Sequence, residues 1–322
     1  MDAKTRTGYL FAMLAMLCFA FLPLFTKLIY LHSDLRGIDI AVWRFGLAVP
    51  ILWVLLTLRS RSGHDPHHNE QLPRFKLMLL GVILASGALA AFYGLSIVDA
   101  SVYSLLFRTQ PILVLVLNAV LGERFPMRGW VALLVTTVGV VFMVGDPEAF
   151  ATAVAATGES NTYLIGIFIA LGNALAVAFY HIGQERVMTA FSNKLRATAW
   201  TISGTLLTVL PIALFMGVRI PPNWQTWAAV IGFATIVTIM PMFALYESIG
   251  RIGSSRVSIL GAVEPVLTVI MAIILLGEPM FTLLQFVGSA LILSSIFILN
   301  ANYIHFPWQR PRRNQGAYAP GD

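Results

Sequence analysis

The chain has 322 residues, of which 58% are hydrophobic and only 11% are charged, whereas about 25% of the residues of an ordinary soluble domain are charged. This composition excludes a water-soluble globular protein of the usual kind. The net charge of +6 could suit nucleic acid, but the basic residues lie in short segments between apolar runs, where they indicate membrane topology instead.

Ten apolar runs of about 20 residues follow one another along the chain, and about 20 helical residues cross a hydrocarbon layer of about 30 Å. Every backbone N–H and C=O in lipid must be paired within the protein, so these runs are predicted to be transmembrane helices. The first run is too long for the apolar core of a signal peptide. The runs are 8–30, 38–58, 77–97, 101–121, 127–145, 162–184, 197–216, 226–248, 254–276 and 281–301.

The distribution of charge predicts the orientation of these helices. If the N-terminus is cytoplasmic, most of the 21 Lys and Arg residues fall in inward-facing segments, whereas the loop 146–161 carries three acids and no cation. The positive-inside rule then places both termini in the cytoplasm. Short loops favour a multi-pass protein of a bacterial inner membrane.

Two segments 154 residues apart share a pattern. The segment SVYSLLFRTQP (101–111) aligns with SRVSILGAVEP (255–265), with serines, a leucine and the final proline in common, and L-G-E recurs at 121–123 and 276–278. An odd number of helices in each copy makes the second copy enter the membrane from the opposite face. We therefore predict an all-α membrane protein with ten transmembrane helices in two inverted five-helix repeats, an arrangement that places a substrate site at the interface of the repeats.

This pattern resembles the EamA type of the drug/metabolite transporter superfamily over residues 8 to 301. The resemblance is carried by TQP with LGER in the first copy and by VEP with LLGEP in the second, although the distance from proline to glutamate is one residue shorter in the first copy. It implies a carrier, often an exporter, of amino acids or other small metabolites. The predicted organisation is a first EamA-like repeat (8–145), an extracytoplasmic loop (146–161), a second EamA-like repeat (162–301) and a basic cytoplasmic tail (302–322).

Ionisable and polar residues predicted inside the membrane are candidates for the substrate site, because they are costly there and mark substrate or proton pathways. Arg108 and Arg44 could bind a carboxylate or phosphate, while Glu264, the one acid placed near mid-depth, could couple transport to protons or bind an amine. A buried ion pair that holds helices together is the alternative for Glu264. The predicted substrate-binding set is Trp43, Arg44, Tyr93, Tyr103, Arg108, Gln110, Tyr180, His181 and Glu264.

Pro111 and Pro265 are predicted to kink their helices near the middle of the membrane. Each lies about ten residues, and so about 15 Å, into its run. A proline removes one backbone donor and displaces the carbonyl four residues earlier, so the two kinks could form hinges in a cavity wall. A tolerated kink, which is common in membrane helices, is the alternative.

The sequence predicts no cofactor and no metal site. Three histidines at 64, 67 and 68 lie in one loop, but no defined scaffold surrounds them. No nucleotide-binding loop and no hydrolase or metalloprotease motif occurs, so the chain is predicted to be a secondary transporter and not an enzyme.

Several alternatives stay open at this stage. They are a polytopic membrane transferase, a receptor or scaffold, and a carrier of nucleotide-linked or drug-like solutes. The predicted partners are a small molecule, expected to bear a carboxylate, and the lipid bilayer, with no nucleic acid. The oligomeric state is open and compatible with a monomer.

Overall fold

The structure is a computed structural model that describes residues 3–61, 71–122, 127–144, 151, 160–188, 193–253, 257, 260–261 and 263–300. Most of the acidic loop 146–161, the three loop histidines, Glu123 and the predicted tail 302–322 lie outside these residues. Regular structure in the described ranges is helical throughout.

The helices follow one another along the chain, and the longest intervals between them are 62–73 and 145–159. Two of them, α9 and α10, are joined without a gap by a π-helical segment, Phe233–Ile239. The α-helices are α1 Ala3–His32, α2 Gly37–Arg61, α3 Arg74–Ile97, α4 Ala100–Phe107, α5 Gln110–Val120, α6 Met127–Val144, α7 Ser160–Met188, α8 Lys194–Met216, α9 Trp224–Gly232, α10 Met240–Ile252, α11 Val263–Leu276 and α12 Leu283–Asn300.

Seven helical spans of the described chain are long and apolar enough to cross a membrane, and three further apolar helices are shorter. The prediction of an all-helical, multi-span membrane protein is confirmed. Ten crossings, their inverted arrangement and the position of the termini stay predictions. The seven spans are Thr5–His32, Gly37–Arg61, Arg74–Ile97, Ala100–Val120, Asn161–Gln184, Leu195–Met216 and Trp224–Ile252, and the shorter helices are Met127–Met143, Val263–Leu276 and Leu283–Ile298.

Helices of the first half of the chain pack mainly against helices of the second half. The largest contacts join α6 to α12, α3 to α7 and α8, α1 to α10, and α2 to α8. Glycines allow two of these approaches: a Cβ at Gly81 would lie 2.4 Å from the carbonyl oxygen of Thr201, and one at Gly139 would lie 2.8 Å from that of Gly288. Small residues at such contacts let helices in lipid approach until their backbones touch.

Both L-G-E motifs end a helix at a glycine with positive φ, which glycine adopts without strain. Gly122 follows α5 with φ 94° and Gly277 follows α11 with φ 67°. After Gly277 the chain turns, and the Glu278 carboxylate accepts hydrogen bonds from Ala100 N at 2.7 Å, from Ser101 N at 3.1 Å and from Ser101 Oγ. We call this contact the Glu278 cap, since a residue of the second half satisfies the N-terminus of α4.

Candidate functional site

The helix predicted over 101–121 is broken in the structure at Arg108 and Thr109. Arg108 N and Thr109 N donate to the carbonyls three residues earlier, at 3.0 and 3.1 Å, and α5 begins at Gln110. Pro111 has no N–H to donate to the Phe107 carbonyl and stands in the first turn of α5, where proline is tolerated. The predicted single kinked helix is therefore two helices, with the turn just before the proline.

The break places Arg108 against Glu264 in the first turn of α11. Arg108 Nη2 and Glu264 Oε1 form a salt bridge, and the two side chains are only 15% and 20% exposed. Arg108 Nε is buried without a hydrogen-bond partner in the described part of the chain. A charge of the first repeated segment is thus neutralised by a charge of the second.

Tyr103, one helical turn before the break, is anchored to the second half. It is 3% exposed, and its hydroxyl accepts a hydrogen bond from Asn173 Nδ2 of α7. A Cβ at Gly94 would lie 2.8 Å from the Tyr103 ring, so glycine is what lets α3 pass so close. Asn173 Oδ1 and Thr109 Oγ1 are enclosed and have no hydrogen-bond partner among the described residues.

Arg44 lies at a different contact, between α2, α3 and the π-helical segment. Its Nε donates to Thr238 Oγ1 at 2.9 Å, and Cζ lies 4.4 Å from the centre of the Phe233 ring and 6.0 Å from that of Phe92. Thr238 Oγ1 in turn donates to the Phe233 carbonyl, five residues earlier, at 3.1 Å. Single π-helical turns within α-helices are frequent at functional sites.

Trp43 contacts the loop between α8 and α9. Its indole Nε1 donates to the Arg219 carbonyl at 2.8 Å, and its ring meets Trp227 edge-on at 5.1 Å. The same loop is joined to Asp39, which accepts from Arg219 N at 3.0 Å and pairs with Arg36. Trp43 therefore joins α2 to the α8–α9 loop and to α9.

The remaining predicted residues are more scattered. Tyr93 is 57% exposed and Tyr180 is 7% exposed, and the rings of Tyr180 and the exposed His181 lie 5.4 Å apart. Pro265 is buried in the first turn of α11, after a turn at Gly261. Contacts among the described residues thus join Arg108 to Glu264 but do not gather the whole predicted set. Gln110, partly buried, opens α5.

Thr238 and the aromatic rings around Arg44 were not predicted from the sequence. A usable signal was Pro241 in the middle of the run 226–248, since it has no N–H for the Val237 carbonyl and the helix widens in the turns just before it. The rings of Phe45, Phe92 and Phe233 lie within 6.0 Å of Arg44 Cζ, and they come from three helical segments that no local sequence pattern brings together.

A second group of charges surrounds the Glu278 cap. Burial raises the pKa of the Asp99 carboxyl, the charge of Glu278 raises it further, and Lys27 lowers it. Asp99 occupies the N-cap position of α4, but its side chain makes no capping bond, whereas Glu278 accepts from Ala100 N and Ser101 N. No group of three or more potential metal ligands occurs among the described residues.

Comparison with known proteins gives one family over both halves. The model of the EamA-like transporter family matches residues 6–145 and 164–301. Protein RarD of Salmonella typhi is 24% identical over 94% of this chain and 98% of its own length. An uncharacterized transporter of Synechocystis, sll1319, is 24% identical over 91% of this chain and 93% of its own, and YcbK of Bacillus subtilis, also an uncharacterized transporter, is 23% identical over 88% and 90%.

A solved crystal structure of a protein shares this fold. It superposes with a TM-score of 0.61 at 17% identity and covers 94% of this chain and 99% of its own. At this identity the likeness concerns the fold alone.

Proposed function

Because the chain belongs to the EamA-like transporter family, we propose that it is a secondary transporter that works without ATP and exports amino acids or related small metabolites by alternating access. The chain is a multi-pass protein of the cell membrane, and its family implies a small-molecule substrate. The exporter role, the substrate class and the transport cycle are our proposal.

The observation that carries the proposal is the Arg108–Glu264 salt bridge. It joins the break between α4 and α5 to the beginning of α11, so it links the two repeated segments where their helices are interrupted. Interrupted helices at the contact of two repeats are where transporters of this architecture bind substrates and coupling ions. We propose that the pair closes the cavity in one state and opens in another.

The pairing of helices supports an inverted repeat. A two-fold axis that exchanges the halves would turn the α1–α10 contact into the α7–α3 contact, and the contact of α1 with α11 into that of α7 with α5. It would leave the α6–α12 and α2–α8 contacts in place. All of these contacts occur, and we propose ten crossings with both termini in the cytoplasm on this basis together with the charge distribution.

Glu264 is our candidate for proton coupling. When the carboxylate takes up a proton it no longer attracts the guanidinium, so the contact between α11 and the α4–α5 break loses its ionic part. A proton gradient could thereby drive the two halves apart on one side of the membrane. The same carboxylate would re-form the pair after the proton leaves.

Transport by the purified protein in liposomes tests this proposal. We expect uptake of some members of a radiolabelled amino-acid mixture without ATP, at a rate that changes with an imposed pH gradient. Glu264→Gln should transport without this pH dependence, while Glu247→Gln, whose residue pairs with Arg251 on the same helix, should behave as wild type. Protein-dependent uptake with a wild-type pH profile in Glu264→Gln would refute the coupling role, and no uptake of any solute would refute the transport function.

A further inference from the structure

The two Nη groups of the Arg44 guanidinium have no hydrogen-bond partner among the described residues. It lies seven residues after the start of α2, about 10 Å into the helix, and it is partly buried. Of the five N–H donors of the guanidinium, only the one on Nε has a hydrogen-bond partner among the described residues, Thr238 Oγ1. Neither Nη atom is among the enclosed atoms without a partner, so both keep accessible surface.

The two arginines of the predicted site differ in how their charge is balanced. Arg108 is paired with Glu264, whereas the salt bridges of the described residues include none to Arg44. An unpaired cation is costly within a membrane protein, and such residues commonly bind a substrate or a counter-ion. The rings of Phe45 and Phe233, 4.9 and 4.4 Å from Cζ, supply part of the missing stabilisation but do not use the Nη donors.

The surroundings of the two Nη groups indicate the ligand. Nε is held by a threonine in the π-helical segment, so the guanidinium plane is fixed and its outer N–H groups form a fork that matches a carboxylate in two parallel hydrogen bonds. The guanidinium lies over the Phe233 ring, with Cζ 4.4 Å from its centre, and Phe92 and Phe25 pack on that ring at 5.8 and 6.1 Å. Because Phe92 and Phe233 are fully buried, they support the guanidinium and leave recognition of the anion to the Nη donors.

We propose that Arg44 binds the carboxylate of the transported solute through its two Nη groups. This inference rests on the proposed transport function and deepens it. The sequence suggested a carboxylate-binding role for both Arg108 and Arg44, and the inference assigns it to Arg44 because Glu264 already neutralises Arg108. In this proposal the π-helical segment positions Thr238, which orients the guanidinium.

Binding to the purified protein, measured apart from transport, tests the inference. The probes are acetate, hexanoate and phenylacetate, with phenethylamine as a cationic control, added to protein in phosphatidylcholine nanodiscs while the thermal unfolding midpoint is recorded. We expect the three carboxylates to raise the midpoint of the wild type and phenethylamine to leave it unchanged. Arg44→Met should weaken phenylacetate binding roughly a hundredfold, because two charge-assisted hydrogen bonds are lost.

Stability without a ligand separates binding from a structural role. Arg44→Met removes an unpaired cation, so its midpoint should equal or exceed that of the wild type. The matched control Arg108→Met leaves the Glu264 carboxylate unpaired and should lower the midpoint. Arg44→Lys keeps the charge but not the fork, and it should bind phenylacetate more weakly than the wild type while remaining folded.

Three results would overturn the inference. One is a fall of the midpoint in ligand-free Arg44→Met as large as in Arg108→Met, which would make Arg44 a structural residue. Another is carboxylate stabilisation that persists in Arg44→Met. The third is stabilisation by phosphatidylglycerol in the nanodisc, lost in Arg44→Met, with none by the soluble carboxylates, since the anion would then be a lipid headgroup. Failure of transport in liposomes together with Arg44-dependent carboxylate binding would refute the proposed function and leave the anion site standing.

Discussion

Removal of the Glu278 carboxylate should destabilise the protein by breaking a contact between its two halves. The carboxylate accepts hydrogen bonds from two backbone N–H groups and one hydroxyl at the start of α4. In Glu278→Gln one oxygen becomes an NH₂ group that cannot accept from the Ser101 donors, and the negative charge at the helix N-terminus is lost. Leaving a buried donor unsatisfied costs about 1–3 kcal/mol, and the charge–dipole interaction is worth about 0.3–1 kcal/mol.

Relief of the repulsion between Glu278 and Asp99 offsets part of this loss, so we expect a net fall in the free energy of unfolding of about 1–3 kcal/mol. Thermal unfolding of the detergent-purified protein measures it, with Glu247→Gln as the control. Glu247 pairs with Arg251 on the same helix and both side chains are partly exposed, at 37% and 29%, so its loss should cost about 0.5 kcal/mol or less. Equal midpoints for the two variants would refute the assignment of a capping role to Glu278.

Three further predictions concern other contacts. Arg108→Met and Glu264→Met should each destabilise by about 3 kcal/mol because each leaves one charge unpaired, and the double variant should lose less than the sum in a double-mutant cycle of unfolding midpoints; additive losses would contradict the pair. The folded-state pKa of Asp99 is raised, so its contribution to stability is favourable in acid and is lost as the pH rises through that pKa. The unfolding midpoint of Asp99→Asn at pH 8 should therefore match or exceed that of the wild type. A midpoint below the wild-type value would contradict the raised pKa. Gly81→Ala places a methyl group 2.4 Å from a backbone oxygen of α8 and should reduce the yield of folded protein on size exclusion, whereas Gly172→Ala, with nothing within 4 Å, should not.

The features that depend on local sequence could be predicted. Run length and hydrophobicity located the helices, because a helix in lipid needs a continuous apolar stretch and no distant partner to satisfy its backbone. The break near Pro111 was partly foreseen, since the missing N–H of proline is a local property. Its position at Arg108 and Thr109 was not, because the turn also depends on what receives the Arg108 side chain.

The features that depend on contacts between distant helices were harder to predict. Glu264 was a candidate proton carrier or ion-pair partner, but the sequence did not say which cation it meets, since the rotation of each helix about its own axis is set by packing. The sequence indicates a structural part for Glu278 only through the L-G-E motif that carries the family resemblance. Its role follows only when the end of α11 is placed beside the start of α4, which no pattern within either segment specifies.

The two repeated segments differ at the positions where they meet, and this difference makes the halves complementary. The alignment sets Arg108 opposite Ala262 and Glu264 opposite Gln110, and the structure pairs the two charged residues with each other. A second copy of the first half would face Arg108 with no acid, and a second copy of the second half would face Glu264 with no cation. Since an unpaired charge in a membrane protein is costly, each half is better completed by the other than by a copy of itself, which gives a physical reason for the two segments to be held in one chain.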